Sequence, residues 1–139
     1  MSEPTYLANS VINQVLEAVI GLMNATNPFA AVTRGALPVH HGITCEIGPS
    51  IPSAVYLDKT SYIPMDVTIN GKHPNLKTLS DALNIIHGAL TTATEYPFDD
   101  GWQIVDITTA TLPQVIGRED NNDWLMASSL SVKIHLKGV

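Results

Sequence analysis

Residues 124–139, at the end of this 139-residue chain, carry the pattern that most restricts its fold. From Trp124 to Leu136 the even positions are apolar, with Ser128 as the one exception, and from Ser129 onward the odd positions are polar. Successive side chains of a strand point to opposite faces, so this alternation predicts a half-buried β-strand. We expect one face of that strand to lie on a core and the other to contact solvent or a partner.

A second strand-like run precedes this strand. It covers Trp102 to Ile107, and the polar segment Gly117 to Asp123, rich in turn-forming residues, lies before the last strand. The chain is therefore predicted to close on an antiparallel pair of strands.

Two segments have the periodicity of amphipathic helices. From about Thr5 to Met23, apolar residues recur at steps of three and four, and Asn27-Pro28 is expected to stop that helix. The second helix is predicted to begin after Asn75 as its N-cap and to end near Tyr96-Pro97, because the residue before a proline is disfavoured in helices. Asp99-Asp100-Gly101 then turns the chain towards Trp102.

The region between the helices is predicted to be extended. Residues 27–42 lose periodicity and are expected to form a long loop, followed by a short strand from Ile43 to Ile47. A longer alternation runs from Val55 to Ile69, with Pro64 at an edge or bulge, and Asn70-Gly71 is expected to close it with a turn. The prediction is thus an α+β fold: a single domain over 1–139, with a mostly antiparallel sheet, two helices packed on it and the order α-β-β-β-α-β-β.

Charge and composition limit the functions that this chain can have. Charged residues make up 14% of the sequence, against about 25% in an average soluble domain. This low value is compatible with a surface covered by other subunits, and equally with a Ser/Thr-rich monomer. The net charge of -6 and seven scattered Lys and Arg residues argue against sequence-specific nucleic-acid binding. One cysteine rules out an internal disulfide, and the lack of a signal-like or membrane-length apolar run predicts a soluble cytoplasmic protein.

The sequence contains few candidate chemical groups. His40 and His41 with Cys45 are the nearest approach to a metal site, but the usual zinc spacings are absent. The other histidines, His73, His87 and His135, are predicted to be polar surface residues. Carboxylates cluster at Asp99-Asp100 and at Glu119, Asp120 and Asp123, where solvated turns are expected. None of the specific motifs for hydrolysis, phosphate or dinucleotide binding occurs, so we expect no catalytic residue, metal or cofactor.

The closing region resembles a known group of proteins. The run from Thr108 to Lys137 is similar to the C-terminal half of tail terminators and related minor capsid proteins of long-tailed bacteriophages. In these, a strand passes through a proline and an Ile-Gly-like step to an acidic turn, an aromatic residue and a final strand. The order of elements extends the resemblance over most of the chain, and Asn121-Asn122 replaces the glycine of many relatives. The residues that carry the resemblance are Pro113, Ile116, Gly117, Glu119, Trp124, Ser129, Leu130, Val132 and Ile134.

The resemblance implies a non-enzymatic role in virion assembly. The chain would form a homo-oligomeric ring, of six subunits in this interpretation, at the head-proximal end of the tail tube. Its partners would be the tail tube protein and head connector proteins, with DNA passing through without specific binding and with no membrane. Assembly in the cytoplasm of a bacterial host would place it in the virion. The candidate assembly interface consists of Trp102, Arg118, Glu119, Trp124, Lys133 and His135, although core packing is the favoured interpretation of both tryptophans.

Three other interpretations stay open at the level of sequence. The chain could be a connector protein or another minor capsid component. It could instead be a small α+β enzyme or metal-binding protein that uses His40, His41, Cys45 and Asp99, which requires these residues to converge. It could also be a monomeric small-molecule carrier, which requires an enclosed apolar cavity between helix and sheet.

Overall fold

The part of the chain that the structure describes folds as two helices on one face of a five-stranded sheet. The computed structural model describes residues 9–37, 41–47 and 61–136. The predicted α+β class and the order α-β-β-β-α-β-β are confirmed. The elements in chain order are α1 (Asn9–Asn24), β1 (Val32–Arg34), β2 (Gly42–Ile47), β3 (Ser61–His73), α2 (Leu76–Thr91), β4 (Trp102–Arg118) and β5 (Trp124–Leu136).

The sheet has the strand order β1-β2-β3-β5-β4, and every pairing except that of β1 with β2 is antiparallel. The predicted closing pair is β4 and β5, which form a hairpin. The last strand therefore lies inside the sheet, between β3 and β4, and β4 is left at the edge. Strand β1 forms the opposite edge.

The alternation in β5 decides which face of the sheet is buried. Its apolar side chains pair across the ladder with those of β3, as in Met65 opposite Val132 and Val67 opposite Leu130, and all four are fully buried. Both helices pack on this face. The other face carries mainly small polar side chains, such as Thr68 and Ser131, that remain partly exposed.

The two helices form where the apolar periodicity predicts them. In α1 the stripe Val15, Leu16, Val19, Ile20 and Met23 is buried. In α2 the predicted N-cap is confirmed, since the Asn75 side chain accepts the Thr78 N–H at 3.0 Å. Neither of these two helices has the length and hydropathy that crossing a bilayer requires.

Three local predictions are wrong. Part of the expected loop is strand β1, held in parallel against β2. The expected turn at Asn70-Gly71 is continuous strand. A Cβ on Gly71 would lie 2.6 Å from Leu79 Cδ1, so a larger residue there would displace the buried Leu79 side chain. The second helix ends at Thr91, well before Pro97, and the Thr91 hydroxyl donates back to the His87 carbonyl.

Other predictions fall partly on residues outside the described ranges. Residues 5–8 and the Val55–Leu57 part of the alternation lie outside them. The described part of β2 pairs with β3 only as far as Val67, so it does not reach Pro64. Among the described strands, Pro64 is therefore bordered only by β5. That is the local edge position that its missing N–H favours.

We expect Ile134→Ala to destabilise the protein by about 2–4 kcal/mol, because it leaves a cavity in a fully buried row of side chains. Lys133→Ala, at the exposed neighbouring position of the same strand, is the matched control and should change stability by less than about 1 kcal/mol. Urea unfolding of both variants measures the difference. Equal midpoints for Ile134→Ala and the native protein would contradict the placement of β5 in the core.

Candidate assembly surface

The turn between β4 and β5 brings together three of the predicted interface residues. The Arg118 guanidinium carbon lies 4.5 Å from the centroid of the Trp124 ring, a cation–π contact. Glu119 forms an ion pair with Lys72 of β3, with Oε1 and Nζ 2.8 Å apart. The Lys72 side chain is only 7% exposed and the Glu119 side chain is 37% exposed, so the lysine is shielded from water and the carboxylate is partly solvated. These contacts tie the hairpin turn to the sheet.

Backbone hydrogen bonds fix the shape of this turn. The Glu119 N–H donates to the Asp123 carbonyl, and the Asn122 N–H donates to the Glu119 carbonyl, both at 2.8 Å. Asn122 has a φ of 73°, in the left-handed region. Asparagine tolerates this conformation better than most residues, which explains how it can stand where many proteins of the similar group have glycine.

The other predicted interface residues lie elsewhere. Trp102 is buried in the core, the favoured interpretation of that residue, and its Nε1–H donates to Gln14 Oε1 at 2.8 Å. His135 pairs with Gln103 at the same end of the sheet, and Lys133 pairs with Asp106 nearby. The six residues thus do not form one patch: Arg118, Glu119 and Trp124 lie at the turn, and the other three towards the opposite end of the hairpin.

Sequence reasoning missed a group of exposed apolar residues on β4. Leu112 is 70% exposed, Ile116 59% and Val115 46%. We call these three residues the apolar edge. Three large apolar side chains exposed within five residues of one strand make this segment a candidate contact surface. They do not follow a two-residue alternation, because β4 is bulged there, so a period-two search of the sequence does not find them.

The two edges of the sheet are protected differently. At β1, the side chain of Asn24 occupies the position of a missing strand: its Oδ1 accepts the Val32 N–H at 2.7 Å, and its Nδ2 donates to the Val32 carbonyl at 3.3 Å. At β4, four register shifts and Pro113 interrupt the ladder instead. Both devices discourage a further strand from pairing with the sheet. Only the β4 edge also exposes large apolar side chains among the described residues.

The described members of the proposed metal site do not converge. The Cys45 side chain is buried in the core, and burial raises the pKa of its thiol to about 12, so it stays protonated. His41 lies beside the end of β2 that pairs with Lys72, whereas Asp99 lies at the opposite end of the sheet, next to Trp102. His40 lies outside the described residues. Within the described residues, no three His, Cys, Asp or Glu side chains are arranged to hold a metal ion.

A histidine pair lies close to Phe29, but its hydrogen bonding does not suit a metal. The ring centroids of His41 and His73 are 5.5 Å apart. The Asn75 N–H donates to His73 Nδ1 at 2.9 Å, which places the proton of a neutral His73 ring on Nε2. A metal-bound histidine normally shows the reverse, with its second nitrogen donating to an oxygen acceptor.

His87 is buried rather than on the surface, so that prediction is wrong. Its Nδ1 lies 2.9 Å from Thr109 Oγ1 and its Nε2 lies 2.8 Å from Ser128 Oγ. Ser128 is the polar interruption in the apolar row of β5, and the contact with His87 of α2 explains it. Burial lowers the pKa of His87 and keeps the imidazole neutral. Although Ser128 and His87 are hydrogen-bonded as in a hydrolase, both are buried between helix and sheet, and the cluster serves to align α2 on the hairpin.

This buried histidine makes stability depend on pH. Because the pKa of His87 is lower in the folded state than in the unfolded chain, its contribution is complete above about pH 6.5 and is lost as the pH falls. We expect the unfolding free energy of the native protein to decline below pH 6.5 more steeply than that of His87→Gln, by at most about 1.4 kcal/mol per pH unit. His41→Gln removes an exposed imidazole and controls for histidine number. Parallel pH profiles for the native protein and His87→Gln would contradict this account.

Comparison with known proteins gives a fold likeness and no family. No protein-family model matches this sequence, and no curated protein matches it. A chain in the solved structure of the virion of a native gene transfer agent (GTA) particle has a similar fold, with a TM-score of 0.67 and 13% sequence identity. The likeness covers 92% of the present chain and 99% of that chain. At this identity, the finding establishes a shared fold.

Proposed function

We propose that this chain is a non-catalytic structural subunit of a virion of the long-tailed phage type. In this proposal it forms a ring at the head-proximal end of the tail tube and joins the tube to the head connector. The observation that carries the proposal is the similar fold of a chain from a gene transfer agent virion, which extends over nearly the full length of both chains. The resemblance to tail terminators and minor capsid proteins, found in the sequence alone, points to the same class of particle.

Five of the nine residues behind that resemblance support the proposal by their position. Pro113, Ile116 and Gly117 lie on the exposed part of β4, Glu119 lies in the adjoining turn, and Trp124 begins β5. None of these five is in the buried core cluster, although Trp124 packs against it, whereas Leu130, Val132 and Ile134 of the same pattern are fully buried. The first five residues of the pattern are therefore available for contact with another protein, whereas the apolar row of β5 meets the needs of the fold.

A ring also accounts for the exposed apolar edge. A subunit that binds its neighbour through two different surfaces forms a closed ring when the rotation between copies closes. Such a ring buries the surface of every subunit, whereas an isolated subunit leaves Leu112 and Ile116 in water. The low charged fraction of the sequence is consistent with extensive subunit contact.

The proposed partners follow from this location. One rim of the ring would contact the tail tube protein and the other would contact head connector proteins, after assembly in the cytoplasm of the bacterial host. The net charge of -6 would let DNA pass through the ring without adhering to it. The contacts in this proposal are protein–protein contacts, with no catalytic group.

The proposal predicts where the protein lies in particles of the phage or prophage that encodes it. Immunogold electron microscopy should place label at the junction of head and tail. Deletion of the gene should yield separate heads and tails, with tails of irregular length because nothing stops tube growth, and the gene supplied in trans should restore joined particles. Unlabelled particles together with normal yield from the deletion strain would contradict the proposal.

A further inference from the structure

The apolar edge has a counterpart at the other end of the molecule. A groove of about 490 Å³ lies between α1 and the start of β4. Its most prominent apolar residue is Phe98, which is 69% exposed. We call it the Phe98 groove. The residues that line it include Glu17, Ala18, Pro97, Asp99 and Trp102.

The apolar edge and the Phe98 groove cannot meet within one chain. Trp102 pairs with Leu136 at one end of the hairpin, and Val115 pairs with Met126 towards the other. The ten residue steps of β5 between Leu136 and Met126 span about 34 Å at about 3.4 Å per residue. Two surfaces at opposite ends of one rigid ladder suit a head-to-tail contact between copies, which is the type of contact that forms rings.

The two surfaces also match in charge. Arg118 lies two residues beyond Ile116 on β4 and is exposed, with its guanidinium over the Trp124 ring. The Phe98 groove carries two exposed carboxylates, Glu17 on α1 and Asp99 beside Phe98. A contact between copies would therefore bring a cation beside an acidic rim while apolar side chains fill the groove, and such complementary charges fix orientation and exclude other pairings.

Strand addition is a poor alternative at this edge. Pro113 lacks the N–H that a new strand would need, and the four bulges of β4 prevent a regular row of donors and acceptors. The β1 edge of a second copy is already bonded to Asn24. The apolar residues of the β4 edge would therefore be buried by contacts between side chains and not by strand pairing.

We propose that the apolar edge of one subunit docks into the Phe98 groove of the next copy of this chain, with Arg118 beside Glu17 and Asp99. This contact would be the repeated interface of the ring and so rests on the proposed function. Leu112 would pack against Phe98, and these are the two most exposed of the large apolar side chains in the described residues.

Disulfide trapping tests this contact directly. Leu112→Cys and Phe98→Cys are made in separate chains of distinguishable mass, mixed, and treated with a mild oxidant. Both positions are exposed, so neither change should disturb folding. The native thiol does not compete, because Cys45 is buried and its pKa is raised to about 12. The mixture should give mainly the mixed dimer, with a yield at least roughly tenfold higher than that of either homodimer. This ratio corresponds to a difference in binding free energy of about 1.4 kcal/mol.

A matched control uses another exposed apolar residue. Ile85 is 55% exposed on α2, outside both surfaces, and Ile85→Cys should not cross-link preferentially with Leu112→Cys. Preferential linkage through Ile85, or a predominance of Leu112→Cys homodimers, would overturn the proposal in favour of a different interface. Absence of any linkage at about 1 mM protein would also overturn it, since even contacts with millimolar Kd are substantially occupied at that concentration.

Charge exchange provides a second measurement. Glu17→Lys should reduce the yield of mixed disulfide roughly tenfold, and Arg118→Glu in the partner chain should restore most of it. No change on either substitution would overturn the assignment of Arg118. These results are independent of particle labelling. If the protein lies at the head–tail junction but does not form this disulfide, the proposed function stands and this interface is wrong. If the disulfide forms but the junction is unlabelled, the interface stands and the proposed location is wrong.

Discussion

The pairing of β3 with β5 is the interaction on which the rest of the structure depends. Thirteen residue pairs join the two strands in unbroken register, from Ser61 opposite Leu136 to His73 opposite Trp124. A shift of one residue would move the apolar row of β5 to the open face, so the core and the register specify each other. Strand β4 then pairs with the free side of β5, and both helices cover the apolar face that this ladder creates.

That dependence explains why much of the fold is predictable from sequence. Simple periodicity predicts two buried faces: the even-numbered apolar row of β5 and the helical stripe from Val15 to Met23. Asn75 indicates the start of α2, because its side chain accepts a hydrogen bond from the nearby Thr78 N–H. In each case the interactions that decide the structure are close in sequence or repeat along it, which is why class and element order follow from the pattern.

The features that sequence reasoning missed depend on partners distant in the chain. Ser128 looks like a defect in the apolar row until His87, from α2, is placed above it. Strand β1 is too short for any periodicity and is held by Asn24 and by parallel pairing with β2. Gly71 resembles a turn residue, yet it lies within a strand, where the side chain of Leu79 from α2 packs directly on it. The sequence singles out Arg118, Glu119 and Trp124, which the fold brings together at the hairpin turn, and their role in assembly stays a prediction. The irregular register of β4 hides the apolar edge from a search for alternating residues.

The fold therefore combines one fully specified face with one edge that stays incomplete in a single chain. Subunit assembly completes that edge in our account, and native mass spectrometry over a concentration series tests this most directly because it counts subunits in the intact assembly. We predict a closed oligomer of one fixed subunit number that becomes dominant as the concentration rises, and that Leu112→Asp abolishes. Monomers alone across the whole series, or an oligomer unaffected by Leu112→Asp, would contradict the account.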